Sequence, residues 1–163
     1  MLKLECVETK NLKINLINEI LSLKNSYWKH TISSQRNFFK SNIKKNDFHI
    51  LLSSEKKLLA YGCLRKGIFI KKNKKIKHIR FDTFIISKSY RGKNYTYLLM
   101  NFINKIIENS NCAGILFTGK ELINLYKKFN WKIAVPKKFK ILTPSVNNQL
   151  SKEKIMMIYN EIV

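Results

Sequence analysis

The stretch between residues 79 and 97 combines an apolar strand, a short basic turn and the start of an amphipathic helix. Such a connection directs several backbone N–H groups and the positive end of the helix toward one point. That arrangement makes an anion site suited to a pyrophosphate. Arg91 and Lys93 add positive charge, and Gly92 permits a close approach of the backbone. This turn is the first candidate binding segment.

One carboxylate stands inside the apolar strand that precedes the turn. Asp82 is one of only two Asp in the chain, and a lone carboxylate in such surroundings is costly unless it is paired or functional. Alternation along a strand places Asp82, Phe84 and Ile86 on one face. Two interpretations stay open: a group that faces a cleft, as a base or as a binding group for an amine, and a structural ion pair with a Lys or Arg.

The N-terminal third brings aromatic side chains together with hydrogen-bonding ones. The candidates for ligand contact are Trp28, His30, Phe39 and His49. Aromatic faces with polar edges suit a sugar or nucleotide-sugar ligand. The alternative is that Trp28 and Phe39 simply belong to the core.

Hydrophobic periodicity predicts the elements that position these residues. Predicted strands cover residues 2–7, 48–52, 58–70, 76–87, 113–117, 131–135 and 155–162, and predicted helices cover residues 12–23, 34–43, 94–109 and 121–129. Residues 55–57 form a predicted tight turn, and residues 71–75 form a predicted polar loop at a hairpin tip. The order predicts an α/β fold whose single mixed sheet is antiparallel at first and parallel around the helix at 94–109, flanked by about four helices.

Length and composition favour one folded domain. The chain has 163 residues, of which 45% are hydrophobic and only 5 are Gly and 2 are Pro, so a long flexible linker is not expected. No apolar run approaches the roughly 20 residues that span a bilayer. The start of the sequence lacks the apolar segment of a signal peptide. We therefore expect a cytoplasmic protein without a membrane partner.

The net charge is strongly positive, and most of the basic residues are lysines. The formal net charge of +22 comes from 32 Lys and Arg against 10 acidic residues, and only four of the 32 are Arg. Proteins that read phosphates and bases usually rely on Arg, so a solvated lysine-rich surface is favoured over a specific nucleic-acid partner. The three Cys are widely spaced and the three His are scattered, so we predict no metal.

Two motifs together resemble the GCN5-related N-acetyltransferase (GNAT) superfamily. Its pyrophosphate loop reads Arg/Gln-x-x-Gly-x-Gly/Ala after a strand that ends in Val or Ile. Residues 91–96 read Arg-Gly-Lys-Asn-Tyr-Thr, with Ile86 at the strand end and Tyr90 just before the arginine. A late family helix commonly ends in Tyr-x-x-x-Gly-Phe or Tyr-x-x-x-Gly-Trp, and residues 126–131 read Tyr-Lys-Lys-Phe-Asn-Trp. The resemblance covers about residues 48–135.

Three family glycines are replaced in these motifs, by Asn94, Thr96 and Asn130. Asn tolerates the left-handed backbone conformation better than most residues, and it is the usual second choice after Gly at the end of a helix. The Thr96 hydroxyl could itself donate to a phosphate. We therefore predict that the fold survives these replacements.

The resemblance implies an acetyl-CoA-dependent N-acetyltransferase. It implies that the backbone of the strand before the loop binds pantetheine, that the loop amides bind the pyrophosphate, and that a tyrosine near the end of the late helix protonates the departing thiolate. The implied coenzyme-binding residues are Phe84, Ile85, Ile86, Arg91, Gly92, Lys93, Asn94, Tyr95, Thr96 and Tyr97. Tyr126 matches the catalytic acid, because a tyrosine near pKa 10 can supply a proton, and Asp82 is the candidate base. No metal is implied.

The expected organisation is a single acetyltransferase domain over residues 1–163. Residues 2–47 would supply acceptor-side helices, residues 48–135 the acetyl-CoA core, and residues 136–163 a C-terminal loop and strand. The expected acceptor is a primary amine of a small molecule, an amino sugar or nucleotide-sugar, and a homodimer is left open. The alternatives are a peptide or protein acetyltransferase, a catalytically inactive GNAT-fold binding module, and a basic nucleic-acid-associated protein.

Overall fold

The computed structural model describes residues 1–28, 30–55, 57–134, 140–141 and 154–161. The α-helices within these residues are α1 (Ile14–Tyr27), α2 (Ile32–Asn42), α3 (Tyr95–Asn109) and α4 (Ile123–Lys127). The strands are β1 (Leu2–Glu8), β2 (Phe48–Ser54), β3 (Lys57–Lys71), β4 (Lys74–Ile86), β5 (Ala113–Thr118), β6 (Lys132–Ile133), β7 (Lys140–Ile141) and β8 (Ile155–Tyr159). Short 3₁₀ turns occupy Thr9–Asn11, Lys88–Tyr90 and Lys120–Leu122. None of the helices in the described residues is long and apolar enough to cross a membrane.

The strand order of the sheet is β1-β2-β3-β4-β5-β8-β6, and β7 pairs with β3. The ladders β1–β2, β2–β3, β5–β8 and β6–β8 are antiparallel. β4 and β5 are parallel, and α3 is the helix that connects them. This arrangement confirms the predicted α/β fold with one mixed sheet and four helices.

The turn between β3 and β4 is shorter than the predicted polar loop at 71–75. Lys72 and Asn73 alone form the tip, with φ of 48° and 61°. Two successive left-handed residues are what a two-residue hairpin turn of the primed type requires, because its twist then matches that of the strands. The predicted turn at 55–57 has Glu55 at φ 48°, while Lys56 lies outside the described residues.

The last third differs from the prediction in detail. The predicted helix at 121–129 begins as a 3₁₀ turn and becomes α4 only over Ile123–Lys127. The predicted strand at 131–135 is observed as β6, and that at 155–162 as β8; Val135 and Ile162 lie outside the described residues. The two-residue strand β7 was not predicted, since a pair of residues has no detectable periodicity.

The chain divides into two compact units, residues 1–65 with 83–99 and residues 66–82 with 100–163. We call them the first and the second unit. The core of the first unit packs apolar residues of α1 against β2, β3 and the end of β4. Its buried members are Ile20, Leu23, Leu51, Leu58, Tyr61, Cys63 and Ile85. This core fixes the strand that leads into the basic turn.

The second unit packs β5 closely against α3 and Trp131. A Cβ added at Gly114 would lie 2.9 Å from Ile107 Cδ1 and 3.0 Å from Trp131 Cη2, so a larger residue here would force these side chains to move. The buried indole donates from Nε1 to Asn104 Oδ1 at 3.0 Å, and Asn104 Nδ2 donates to the Phe129 carbonyl at 3.0 Å. These bonds tie the middle of α3 to the turn after α4.

Candidate active site

The turn between β4 and α3 has an unusual backbone. Ser87 N–H donates to the Leu59 carbonyl at 2.9 Å, which ties the start of the turn to β3. Gly92 has φ of 78° and Asn94 has φ of 58°. Space does not dictate the glycine, because nothing lies within 4 Å of a Cβ built at Gly92. The conformation does, since side-chain-bearing residues avoid this region.

Asn94 thus takes the left-handed conformation that asparagine tolerates better than most residues. The same holds for Asn130, whose φ is 65°. The Trp131 N–H donates to the Tyr126 carbonyl at 3.3 Å, and the Asn130 N–H donates to the Lys127 carbonyl at 3.1 Å. Those two bonds define a Schellman motif, in which the left-handed residue ends a helix. Asparagine therefore performs the backbone role of glycine at both places.

The first turn of α3 offers backbone N–H donors. The Leu98 N–H donates to the Asn94 carbonyl at 3.3 Å, so the amides of Tyr95, Thr96 and Tyr97 precede the first bond within the helix. Thr96 is half-buried and Tyr97 is 65% exposed. With fifteen residues of aligned peptide dipoles behind it, this end of the helix carries partial positive charge. The segment has the donors that a phosphate group requires.

Arg91 is held at the turn by two contacts. Its Nε donates to the Ile86 carbonyl at 3.2 Å, and its guanidinium carbon lies 5.4 Å from the centre of the Tyr27 ring at the end of α1. The guanidinium has five N–H donors, so four remain on its two terminal nitrogens. A planar fork of this kind binds phosphate through paired hydrogen bonds. The side chain is exposed and ready to bind an anion.

The strand before the turn leaves part of its length outside the β5 ladder. The parallel register runs from the pair His78 and Ala113 to the pair Phe81 and Leu116. β4 continues to Ile86 and β5 to Thr118. Among the predicted coenzyme contacts on β4, Phe84 and Ile86 are half-buried, whereas the Ile85 side chain is buried in the core of the first unit. Any contact made by Ile85 must therefore come from its backbone.

Tyr126 is buried in an aromatic group of the second unit. It is 7% exposed, and its ring meets the rings of Phe81 and Trp131 edge-on, with centroid distances of 6.3 and 6.4 Å. Burial raises the pKa of Tyr126 to about 12. No described residue is hydrogen-bonded to its hydroxyl, whose oxygen is not sealed from solvent. The hydroxyl is thus protonated at neutral pH and available as a donor.

Asp82 forms the ion pair that the sequence left open. Its Oδ1 lies 3.1 Å from Arg80 Nη2, and the two side chains are only 10% and 17% exposed. The guanidinium carbon of Arg80 also lies 5.2 Å from the centre of the Phe117 ring. Because side chains alternate along a strand, Arg80 and Asp82 lie on the face of β4 opposite to Phe81. Tyr126 packs against Phe81, so Tyr126 and the Asp82 carboxylate lie on opposite faces of β4.

Two of the predicted acceptor residues meet in the core of the first unit. His49 is 0% exposed and stacks between Phe39 and Tyr61, with ring centroids 5.6 and 5.8 Å away. Its Nε2 lies 2.8 Å from Thr9 Oγ1 and its Nδ1 lies 2.8 Å from Tyr61 Oη. Burial, and secondarily the charge of Lys24, lowers the pKa of His49 to about 4. Both ring nitrogens are engaged, so the contacts of His49 are those of a core residue.

The other two acceptor candidates are more accessible. Trp28 is half-buried against the core of the first unit, and its ring meets that of Tyr27 edge-on at 5.0 Å. His30 is exposed, and its backbone N–H donates to the Trp28 carbonyl at 2.7 Å. The sequence did not predict the contact of Tyr27 with Arg91, because nothing local signals a contact between residues so far apart in the chain. Arg80 could have been found, since residues i and i+2 of a strand share a face.

Within residues 1–28, 30–55, 57–134 and 154–161, no group of three or more His, Cys, Asp or Glu could hold an ion. In the first unit, the backbone donors and the Arg91 fork suit binding of an anionic ligand. In the second unit, the Tyr126 hydroxyl and the Asp82 carboxylate are groups that can transfer protons.

The fold is similar to that of several solved structures. Escherichia coli ElaA aligns with a TM-score of 0.70 at 14% identity, covering 97% of this chain and 99% of that one. An acyl-CoA N-acyltransferase from Pseudomonas aeruginosa aligns with a TM-score of 0.70 at 13% identity, again covering 97% and 99%. Arabidopsis thaliana Naa50, in complex with the bisubstrate analogue CoA-Ac-MVNAL, gives 0.63 at 14% identity and 97% of each chain. Identities this low show the fold alone.

The family assignment rests on a sequence match. No curated protein sequence matches the chain significantly. The model of the acetyltransferase (GNAT) family matches residues 15–131, which include both motifs and the elements that position them. Since that match spans well over half of the sequence, the chain belongs to the acetyltransferase (GNAT) family, whose enzymes transfer an acetyl group from acetyl-CoA to an amine.

Proposed function

We propose that the chain acetylates a primary amine of a small molecule, an amino sugar or a nucleotide-sugar. The observation that carries the coenzyme half of this proposal is the turn between β4 and α3. It combines two left-handed residues, three amides at the start of a helix and the held Arg91 fork. The helix start and the fork supply N–H donors, and a pyrophosphate supplies acceptors and negative charge.

The coenzyme would be bound through two of its parts, the pyrophosphate and the pantetheine. The amides of residues 93–97 and the Arg91 terminal nitrogens would hold the pyrophosphate, with Thr96 adding a hydroxyl and Lys93 a charge. The backbone of Phe84 and Ile86 would pair with the pantetheine amides, supported by the end of the β4–β5 ladder at Phe81. The Ile86 carbonyl already accepts from Arg91, so the N–H of Ile86 is the group we assign to this pairing.

Tyr126 is assigned the proton for the leaving group. Acetyl-CoA supplies an acetyl group activated as a thioester, whose sulfur leaves as the amine nitrogen bonds to the carbonyl carbon. The Tyr126 hydroxyl would donate its proton to that sulfur as the carbon–sulfur bond breaks. Its raised pKa keeps the proton on the oxygen until charge develops. A desolvated site also raises the proton affinity of the sulfur, which offsets the weak acidity of the tyrosine.

Asp82 is assigned the role of the base that takes a proton from the acceptor ammonium. An amine attacks only when its nitrogen lone pair is free, so a proton must leave the ammonium. The Asp82 carboxylate, fixed by Arg80 at 3.1 Å, would bind the ammonium and accept that proton.

The acceptor side is assigned to the segment around Trp28 and His30. Tyr27 and His30 are exposed and Trp28 is half-buried, so rings and polar edges are presented together, as sugar ligands require. Phe39 and His49 are buried and paired, and we do not carry them into the acceptor site. The assigned contacts are Trp28 and His30.

The test is an acceptor screen that detects released CoA thiol. The panel contains amino sugars, nucleotide amino sugars, polyamines and short peptides with free N-termini. Turnover with an amino sugar at rates well above hydrolysis supports the proposal. Turnover with peptides alone would show that the acceptor is a peptide amine and not an amino sugar, while the N-acetyltransferase activity itself would be retained. The Asp82→Asn variant should lose turnover, with partial recovery at high pH where the amine is already neutral.

A further inference from the structure

Beside the turn between β4 and α3, two lysine ammonium groups lie against the same aromatic ring. Lys93 Nζ lies 5.2 Å from the centre of the Tyr90 ring, and Lys57 Nζ lies 5.5 Å from the same centre. Lys93 comes from the turn itself, while Lys57 is the first residue of β3 and lies outside both family motifs. Tyr90 immediately precedes Arg91. Two positive charges from separate segments are therefore gathered beside the anion site.

Such a gathering has an energetic cost without an anion. Like charges repel, and each cation–π contact at an exposed site is worth only about 0.5–1 kcal/mol. A bound anion reverses the balance, because each ammonium then makes a charge-assisted hydrogen bond. Lysine ammoniums are compact point charges, which suits a phosphate monoester that is approached from several directions. The Arg91 fork suits the pyrophosphate instead.

We propose that Lys57 and Lys93, arranged on the Tyr90 ring, bind the 3′-phosphate of coenzyme A. This inference rests on the proposed function, since it assumes that the coenzyme occupies the adjoining turn. Apart from its pyrophosphate, coenzyme A carries one further anionic group, a phosphate monoester with about −1.5 to −2 charge at neutral pH. Two ammonium groups match that charge. Lys57 is then a specificity-determining residue for coenzyme A over dephospho-coenzyme A.

The experiment measures both ligands on wild type and on matched variants. Isothermal titration at 150 mM salt, where long-range effects of the +22 charge are screened, gives dissociation constants for coenzyme A and dephospho-coenzyme A. Lys57→Gln should weaken coenzyme A about tenfold, the scale of one hydrogen bond between charged groups. Its affinity for dephospho-coenzyme A should stay at the wild-type value. Lys93→Gln should weaken both ligands, and coenzyme A more.

Two further variants test the arrangement. Lys105→Gln removes the same charge from an exposed position on α3 and should change neither constant. Tyr90→Phe keeps the ring and should keep the discrimination between the ligands, whereas Tyr90→Leu should reduce it, since the lysines lose the surface that gathers them.

The outcomes distinguish a failure of the 3′-phosphate site from a failure of the proposed function. If coenzyme A binds but Lys57→Gln weakens both ligands equally, or Lys105→Gln acts like Lys57→Gln, the 3′-phosphate site is overturned and the proposed function stands. If wild type binds both ligands with equal affinity, the site is overturned as well. If neither ligand binds at millimolar concentration, the proposed function fails and takes this inference with it.

Discussion

Tyr61 and Tyr126 are two buried tyrosines in aromatic surroundings, and they differ in what their hydroxyls do. Tyr61, in the first unit, is 1% exposed and its hydroxyl lies 2.8 Å from His49 Nδ1. Tyr126, in the second unit, is 7% exposed and its hydroxyl has no hydrogen bond with any described residue. The two hydroxyls therefore differ in their pairing: that of Tyr61 is tied to a core histidine, while that of Tyr126 is the donor that we propose for the leaving sulfur.

The largest expected effect is on catalysis, from Tyr126→Phe. The ring and its packing on Phe81 and Trp131 are kept, so acetyl-CoA affinity and the free energy of unfolding should stay near wild type. Turnover should fall by about 10²–10⁴-fold, the usual contribution of general acid catalysis. Steady-state kinetics should show the loss in kcat rather than in KM, because the proton is needed in the transition state. Full turnover in this variant would make Tyr126 a core aromatic like Tyr61.

The next effect is the pH dependence of stability that His49 introduces. Its pKa is about 4 in the folded protein against 6.5 in the unfolded chain, so the unfolded state binds the extra proton between these values. The stability is complete above pH 6.5 and is lost as the pH falls through 4, by about 3 kcal/mol for this group. Burial likewise lowers the pKa of His78 to about 4, and its contribution has the same sign.

Denaturant unfolding at pH 7 and pH 5 measures this loss. His49→Gln should make the free energy of unfolding less dependent on pH, because the titrating group is gone. His30→Gln is the matched control, since that side chain is exposed and its removal should leave the pH dependence of the wild type. Equal slopes in wild type and His49→Gln would show that His49 is not buried as a neutral group.

Tyr61→Phe is the counterpart of the catalytic variant and should have the reverse profile. Removing the hydroxyl leaves His49 Nδ1 without its partner inside the core. The free energy of unfolding should fall by about 1–3 kcal/mol, while kcat in the folded protein should be unchanged. Chemical denaturation and steady-state kinetics on the same preparation check both halves. A loss of kcat that matches Tyr126→Phe would abolish the distinction between the two tyrosines.

The smallest expected effect concerns the ring that holds Arg91. Tyr27→Leu removes the surface on which the guanidinium stacks, and acetyl-CoA affinity should fall by about twofold to fivefold, as a cation–π contact of about 0.5–1 kcal/mol implies. Tyr27→Phe keeps the ring and should restore affinity. Calorimetric titration measures both. If the effect of Tyr27→Leu persists in an Arg91→Gln background, the ring acts by another route.

Local patterns explain how much of the fold could be predicted. Alternation and helical spacing gave β1 to β5 and α1 to α3 to within a few residues, because each has a buried face with a regular period. The left-handed Asn130 was expected, since the end of a helix often takes that conformation, whereas for Asn94 the sequence indicated only that such a conformation would be tolerated. The position of β8 between β5 and β6 depends on long-range pairing, which periodicity does not encode.

The candidate site was predictable where it is contiguous in sequence. The turn at 91–97 and Tyr126 follow from motifs, whereas Tyr27 and Lys57 reach the turn from distant segments. His49 shows the opposite problem: an aromatic setting looks the same for a ligand-binding histidine and for a core one. Only the register that brings it to Thr9 and Tyr61 distinguishes them, and that register is set by the whole sheet.

Titration of acetyl-CoA into the wild-type protein tests the central claim most directly. The account predicts saturable binding of one acetyl-CoA per chain, with a rise in melting temperature that grows with ligand concentration as mass action requires. Arg91→Gln should weaken that binding, because the fork over the pyrophosphate is lost. The contrary result is no heat of binding and no thermal shift at millimolar acetyl-CoA, or binding that Arg91→Gln leaves unchanged.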